Sequence, residues 1–230
     1  MLESVSAIVR EAGRIAASRS GGSFRRWEKA PNDPVSEIDL EVDAFLRTRL
    51  EALDPEAGWL SEETLDSSDR IERRRLWVVD PIDGTRDFLR GRSGWAVSVA
   101  LVEDRVPVLG VLDAPARGEH WTAARGGGAM RNGVPLRVSG RDTLSGARIP
   151  SDQLAAADAD LVATLKWGFE WDIAAAALIA AEAGATVSGA LGQPLAFNTA
   201  SGEAFGVLVA TPAIHAAAVE RLRDRALAVV

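Results

Sequence analysis

Hydrophobic positions in the first part of the chain recur at helical spacing. Val5, Ile8, Val9, Ala12, Ile15 and Ala16 fall on one face of an amphipathic helix, and Gly21-Gly22 marks its end. A second helix is predicted from residue 36 to about 53, with Ile38, Val42, Phe45, Leu46, Leu50 and Leu53 as its apolar face. Pro34 and Ser36 signal its start, Ser36 because its hydroxyl can accept from a first-turn N–H. From residue 76 the period shortens. Residues 76–79 form a short apolar run, and 95–102 and 106–112 are β-rich. Residues 119–124 and 134–138 are predicted as further strands, with Asn132-Gly133 as the turn signal between them. Helical spacing returns at 172–183, which Gly184 ends, and at 212 to about 227, where Pro212 sits in the first turn. Residues 205–209 read as a buried strand. This helix–sheet–helix order agrees with an α/β architecture.

Composition narrows the picture. The chain of 230 residues is 47% hydrophobic and 26% charged, the balance of a globular protein. No linker, repeat or low-complexity tract divides it, so one domain is expected over 1–230, with an N-terminal α+β part to 140 and a C-terminal α/β part from 141. The alanines around Ala155 and Ala174 read as helix formers. The chain has no apolar run long enough for a membrane span, and Met1-Leu2-Glu3-Ser4 lacks the features of a signal peptide. Absent cysteine excludes disulfides and thiolate metal sites, and a cytoplasmic location is expected. The net charge of -7 argues against a nucleic-acid polymer as partner. The densest basic run, 70–75, reads as a solvated face before a strand. Bound cations would let such an acidic protein accept an anionic substrate.

Four acidic features then need a common explanation. They are Ser61-Glu62-Glu63, the run Asp80-Pro81-Ile82-Asp83-Gly84-Thr85, Trp171-Asp172 at a helix start, and Asp33-Pro34-Val35-Ser36 with Asp39 one turn later. Each has a plain reading: adjacent glutamates are solvated, Asp172 is a helix cap, Asp39 complements a helix dipole, and Asp83-Gly84 is a turn. Together they suit Mg²⁺, a hard cation that prefers carboxylate and water oxygens. Asp80 and Asp83, three apart on a turn stiffened by Pro81 and released by Gly84, can aim both carboxylates and the Ile82 carbonyl at one point. Gly84, Thr85 and Arg86 then offer backbone N–H groups suited to a phosphate oxygen.

The stretch WVVDPIDGTRDF, residues 77 to 88, resembles the signature of the inositol monophosphatase superfamily of lithium-sensitive, magnesium-dependent phosphatases. EWDIAAAALIAAEAGA, from Glu170 to Ala185, resembles its second signature, and DPVSEID (33–39) and SEE (61–63) stand in the family's order. Within the superfamily, Arg86-Asp87 after Thr85 and the Glu170-Trp171-Asp172 form of the second motif are most similar to bacterial 3'(2'),5'-bisphosphate nucleotidases of the CysQ type. The resemblance implies a layered αβαβα sandwich of the inositol monophosphatase and fructose-1,6-bisphosphatase type, and a homodimer.

It also implies roles. Glu62, Asp80 and the Ile82 carbonyl would hold one Mg²⁺, and Asp80, Asp83 and Asp172 a second, with Asp80 bridging and Glu62 aiding a third ion through water. Thr85 and Asp39 match the pair that orients and deprotonates the attacking water, with Glu62 also in the catalytic set. Gly84, Thr85, Arg86 and Asp172 would bind the substrate. The substrate implied is a small phosphate ester, 3'-phosphoadenosine 5'-phosphate first, with inositol, histidinol or sugar phosphates as alternatives. His120 and His215, the only histidines, read as structural.

One departure bears on specificity. Residues 150–166 are shorter than the resemblance leads one to expect, lacking a stretch with a lysine, a Gly/Ser turn and a helix that helps form the substrate pocket. This is either a deletion or a segment omitted from the sequence. A metal- or nucleotide-binding module that has lost catalysis is the reading of another class, and the full set Glu62, Asp80, Asp83, Asp172 and Thr85 argues against it.

Overall fold

Helices α1 (Leu2–Arg19) and α2 (Glu37–Leu53) stand where the apolar spacing predicts them. A computed structural model of the protein describes residues 1–150 and 159–229. A capping box opens α2: Ser36 Oγ accepts the Ile38 N–H at 3.2 Å, and Asp39 Oδ2 accepts the Ser36 N–H at 2.9 Å. Between the helices the chain makes a hairpin of β1 (Arg26–Ala30) and β2 (Asp33–Ser36). Every residue of β1 is exposed, so no apolar alternation announces it.

The main sheet has seven strands in sequence order: β3 (Gly58–Ser61), β4 (Arg75–Asp83), β5 (Ala96–Glu103), β6 (Val106–Ala114), β7 (Glu119–Ala124), β8 (Gly128–Arg131) and β9 (Val134–Pro135). Only the β3–β4 pair is parallel. The strand expected over 134–138 is shorter, because Val138 N–H leaves the sheet to donate to the Ala183 carbonyl. Asn132-Gly133, at φ 51 and 79, turns the chain between β8 and β9, with β8 as a strand the pattern does not predict. Short helix α3 (Thr85–Leu89) follows β4.

One face of this sheet packs against α1 and α2, with Val9, Ile38, Val42 and Leu46 in a core with Val79, Val97, Val99 and Val111. On the other face Leu76, Val78, Ala100 and Val102 meet Ala174, Ala175 and Ala177 of α4 (Glu170–Glu182). Small residues let the layers approach closely. A Cβ on Gly110 of β6 would stand 2.9 Å from the Ala175 carbonyl oxygen and 3.1 Å from its Cα.

The far side of α4 contacts a second sheet of β10 (Leu161–Phe169), β11 (Thr186–Ser188) and β12 (Glu203–Ala210), antiparallel and ordered β10-β12-β11. Helix α5 (Pro212–Leu227) closes over it through Ile214, Ala218 and Val219 against Leu161, Leu208 and Ala210. The layers therefore run α, β, α, β, α, the sandwich expected, with α4 as the middle layer among the described residues. The alanines at Ala174 form α4, and those around Ala155 lie outside the described residues. No described helix is long and apolar enough to cross a membrane.

The basic run at 70–75 is not a uniformly solvated face. Arg70 is 3% exposed, and it donates to both Asp66 oxygens at 2.6 and 2.7 Å, to Asn198 Oδ1 at 2.8 Å and to the Thr199 carbonyl at 3.0 Å. A planar guanidinium with a bidentate carboxylate and two further acceptors keeps its charge out of water. His120 and His215 do serve packing: His120 bonds Ser6 and Asp113, each at 2.8 Å, and His215 bonds Ser188 at 2.9 Å.

Candidate active site

Strand β4 carries its acids into the seam between the layers. Its pairing with β5 runs in register to Asp80 opposite Ser98, then shifts before Asp83 meets Ala96. Asp80 is 1% exposed, and its Oδ1 accepts the Ile82 N–H at 2.9 Å, which fixes the local turn. Asp172 arrives from the first turn of α4. One oxygen each from Asp80, Asp83 and Asp172 lies within 4.8 Å of the others.

Crowding three acids, Asp80 buried, Asp83 half-buried and Asp172 at the open side, raises their proton affinity. Burial pushes Asp80 well above the usual carboxylate range, with the charges of Asp83, Glu62 and Asp172 adding to it. Burial, then Glu62, brings Asp83 up to about 6. Asp172 is pushed up to about 7 by burial and by Asp83 and Glu62, against the opposing bonds from the Phe169 backbone and Asp80. Such repulsion stabilises no fold. A hard divalent cation would relieve it, and the donor set of converging carboxylate oxygens fits Mg²⁺.

Glu62, on the turn after β3, lies close enough for its charge to raise the proton affinity of Asp80, Asp83 and Asp172. The β1–β2 hairpin also lays Lys29 over this turn, with Nζ 2.9 Å from both Glu62 Oε1 and Glu63 Oε1. Burial pulls the Lys29 ammonium down, but its bonds to the two glutamates outweigh this and leave it above its ordinary range. Burial likewise raises Glu63 to about 7 despite Lys29.

A second pair completes the site. Thr85 Oγ1 lies 3.1 Å from Asp39 Oδ1 and 3.0 Å from the Ile82 carbonyl oxygen. Asp39 is fully buried, and burial raises its proton affinity although Ser36 and Thr85 hydrogen bonds pull the other way. Gly84 opens α3 at φ 90, where a Cβ would stand 2.3 Å from the Gly94 carbonyl oxygen, so only glycine fits. The Arg86 guanidinium donates to the Asn32 carbonyl in the β1–β2 turn.

Residues 1–160 match the inositol monophosphatase family. The chain belongs to this family. It is 31% identical to the 3'(2'),5'-bisphosphate nucleotidase CysQ of Aggregatibacter actinomycetemcomitans, over 86% of this chain and 87% of that one. It is also 35% identical to a histidinol-phosphatase of Chlorobaculum parvum, over 57% of this chain and only 51% of the relative. Its fold matches the Thermotoga maritima IMPase with a TM-score of 0.82 at 25% identity, covering 98% of this chain and 97% of that structure. Membership in the inositol monophosphatase family supports a phosphomonoester hydrolase, and its relatives differ in the ester they are named for.

Within this family member, Asp80, Asp83 and Asp172 come together as one acidic cluster, the charge of Glu62 acts on it, and Thr85 pairs with Asp39. Three further residues support the site. Lys29 carries no local signal, since it meets Glu62 only 33 residues on. Asp43 accepts the Ser61 hydroxyl and, at 2.8 Å, that of Thr64, tying the Glu62 turn to α2. Its position four after Asp39, on the same helix face, is a readable signal. Glu170, fully buried, accepts from Asn198 N–H at 2.7 Å and Thr199 N–H at 2.8 Å, and so anchors the start of α4 beside Asp172.

Proposed function

We propose that this protein hydrolyses 3'-phosphoadenosine 5'-phosphate to AMP and phosphate in a Mg²⁺-dependent reaction. The observation that carries this reading is the convergence of Asp80, Asp83 and Asp172 beside the Thr85–Asp39 pair. The similarity to CysQ, which extends over most of both chains, supports the nucleotide as substrate.

Asp80, Asp83, Asp172, Glu62 and the Ile82 carbonyl would hold two or three Mg²⁺, with Asp80 shared. When bound, the ions supply positive charge that gathers the phosphate dianion and lowers the pKa of a water. The chain's own part is proton handling and orientation. Thr85 Oγ1, donating to Asp39 Oδ1, keeps lone pairs with which to accept from the attacking water. Burial of Asp39 makes it a stronger proton acceptor than a solvated aspartate, so the proton released by Thr85 has a place to go. The backbone of Gly84, Thr85 and Arg86 at the start of α3 would orient the phosphate oxygens.

The partial match to a histidinol-phosphatase favours a second reading, in which another small phosphate ester is the substrate on the same cluster. A phosphate-release panel with Mg²⁺ separates the two. It should compare 3'-phosphoadenosine 5'-phosphate, inositol 1-phosphate, histidinol phosphate and a sugar phosphate, with and without Li⁺. Preferential release from the bisphosphate is expected. Equal slow turnover of all four would defeat the nucleotidase reading.

A further inference from the structure

Four aromatic side chains around the end of β10 have no part in the reaction above. Strand β10 ends in Trp167 and Phe169, two apart and therefore on one face of the strand. They are 56% and 43% exposed, on a strand at the edge of its sheet. Phe169 stacks on Trp171 with ring centroids 4.5 Å apart and planes within 9° of parallel. Trp167 leans on Phe205 at 5.5 Å. Trp171 packs partly buried against the α4 core, so Phe169 is the outer ring of the stacked pair.

The stacked pair leads directly into the residue that completes the cluster. Phe169 caps the start of α4, and Asp172 follows in the first turn, its carboxylate oxygen standing with those of Asp80 and Asp83. Trp171, the inner ring of the pair, immediately precedes Asp172, and its carbonyl accepts at 3.1 Å from Ser98, the β5 partner of Asp80. Apolar surface with a free π-face beside a polar reaction centre is what a planar, weakly polar group binds. A polyol presents no such face and gains little from it.

We propose that the outer face of Phe169, extended by Trp167, is a stacking platform for a planar ring on the substrate, selecting aromatic and nucleobase-bearing phosphate esters over polyol phosphates. This rests on the phosphatase reading and names the substrate class within it. The platform supplies affinity from outside the acidic cluster, so it acts on binding and leaves the hydrolytic step to the cluster.

The test measures binding without turnover. AMP and ribose 5-phosphate share a phosphate and a sugar and differ by the base. Isothermal titration calorimetry with Mg²⁺ present should find AMP bound at least about tenfold more tightly than ribose 5-phosphate, the scale of one base–aromatic stack. Phe169→Ala should remove that difference by weakening AMP alone, Phe169→Tyr should keep it, and Trp167→Ala should lower it a few-fold. Phe169→Leu, which retains apolar bulk, replaces the alanine variant if that chain does not fold. Indistinguishable binding of the two ligands, including no measurable binding of either, overturns the platform. So does an equal loss for both in the variants. A wild-type dimer that Phe169→Ala converts to monomers in size-exclusion chromatography overturns it in favour of an interface between copies. If no phosphate ester is hydrolysed, the phosphatase reading fails, and the AMP comparison still decides the platform.

Discussion

Thr85 Oγ1 lies 3.1 Å from Asp39 Oδ1, joining the start of α3 to the first turn of α2 across 46 residues of chain. Asp39 is also the residue that closes the capping box of α2, so one carboxylate serves the helix with Oδ2 and the threonine with Oδ1. Removing the hydroxyl should therefore affect the reaction far more than the fold. Thr85→Val is expected to lower kcat by about 100-fold or more, the usual scale of a positioned proton acceptor, with KM nearly unchanged. Thr85→Ser should recover most of the rate. Steady-state phosphate release, alongside a thermal melt that confirms folding, checks this.

The acidic cluster predicts how Mg²⁺ binding depends on pH. Asp83 and Asp172 have proton affinities raised from 3.8 to about 6 and about 7. In the metal-free protein the native state then holds protons that the unfolded chain has released, between about pH 4 and pH 7. The site's contribution to stability accordingly declines as pH rises through that window. Mg²⁺ must displace those protons, so its affinity grows with pH. The upward shift in Tm on adding Mg²⁺ should be larger at pH 8 than at pH 6. A larger shift at pH 6 would contradict the assignment.

Gly110 sets the distance between the main sheet and α4. Gly110→Ala would place a methyl 2.9 Å from the Ala175 carbonyl oxygen, and backbone must move to admit it. Overpacking of this kind costs about 1–3 kcal/mol. Because Asp172 rides on the same helix, urea denaturation should show the loss of stability and a phosphate-release assay a parallel loss of rate.

Asp43 ties the turn that carries Glu62 to α2 through the hydroxyls of Ser61 and Thr64. Asp43→Ala should destabilise the protein by about 1–3 kcal/mol, the range for stranding buried polar groups. It should also raise the Mg²⁺ concentration needed for half-maximal activity. Denaturant titration and a metal titration of activity read the two effects separately.

Much of this architecture is legible from periodicity. Helices α1, α2 and α5 bury one face each, α4 is apolar on both sides as a middle layer must be, and Ser36 and Pro212 mark the starts of α2 and α5 by known backbone chemistry. The unannounced strands are those with little apolar alternation. β1 is fully exposed, β3 has only four residues, and β10 exposes most of its length. The site divides in the same way. Asp80, Asp83 and Thr85 are recognisable because one turn holds them together, and Asp39 and Asp172 because each opens a helix. Lys29 reaches Glu62 through a hairpin with no sequence signature, and Arg70 looks like one member of a charged run until Asn198 and Thr199 fold over it.

The most direct test of the account is the rate of phosphate release from 3'-phosphoadenosine 5'-phosphate in the presence of Mg²⁺, measured for the wild-type chain and for Asp83→Asn. The variant removes one charge from the cluster and keeps the residue's shape. Cation-dependent stabilisation of the transition state amounts to several kcal/mol, so the rate should fall by at least about 100-fold while the fold persists. An Asp83→Asn chain that releases phosphate at the wild-type rate would contradict the assignment of the reaction to this acidic cluster.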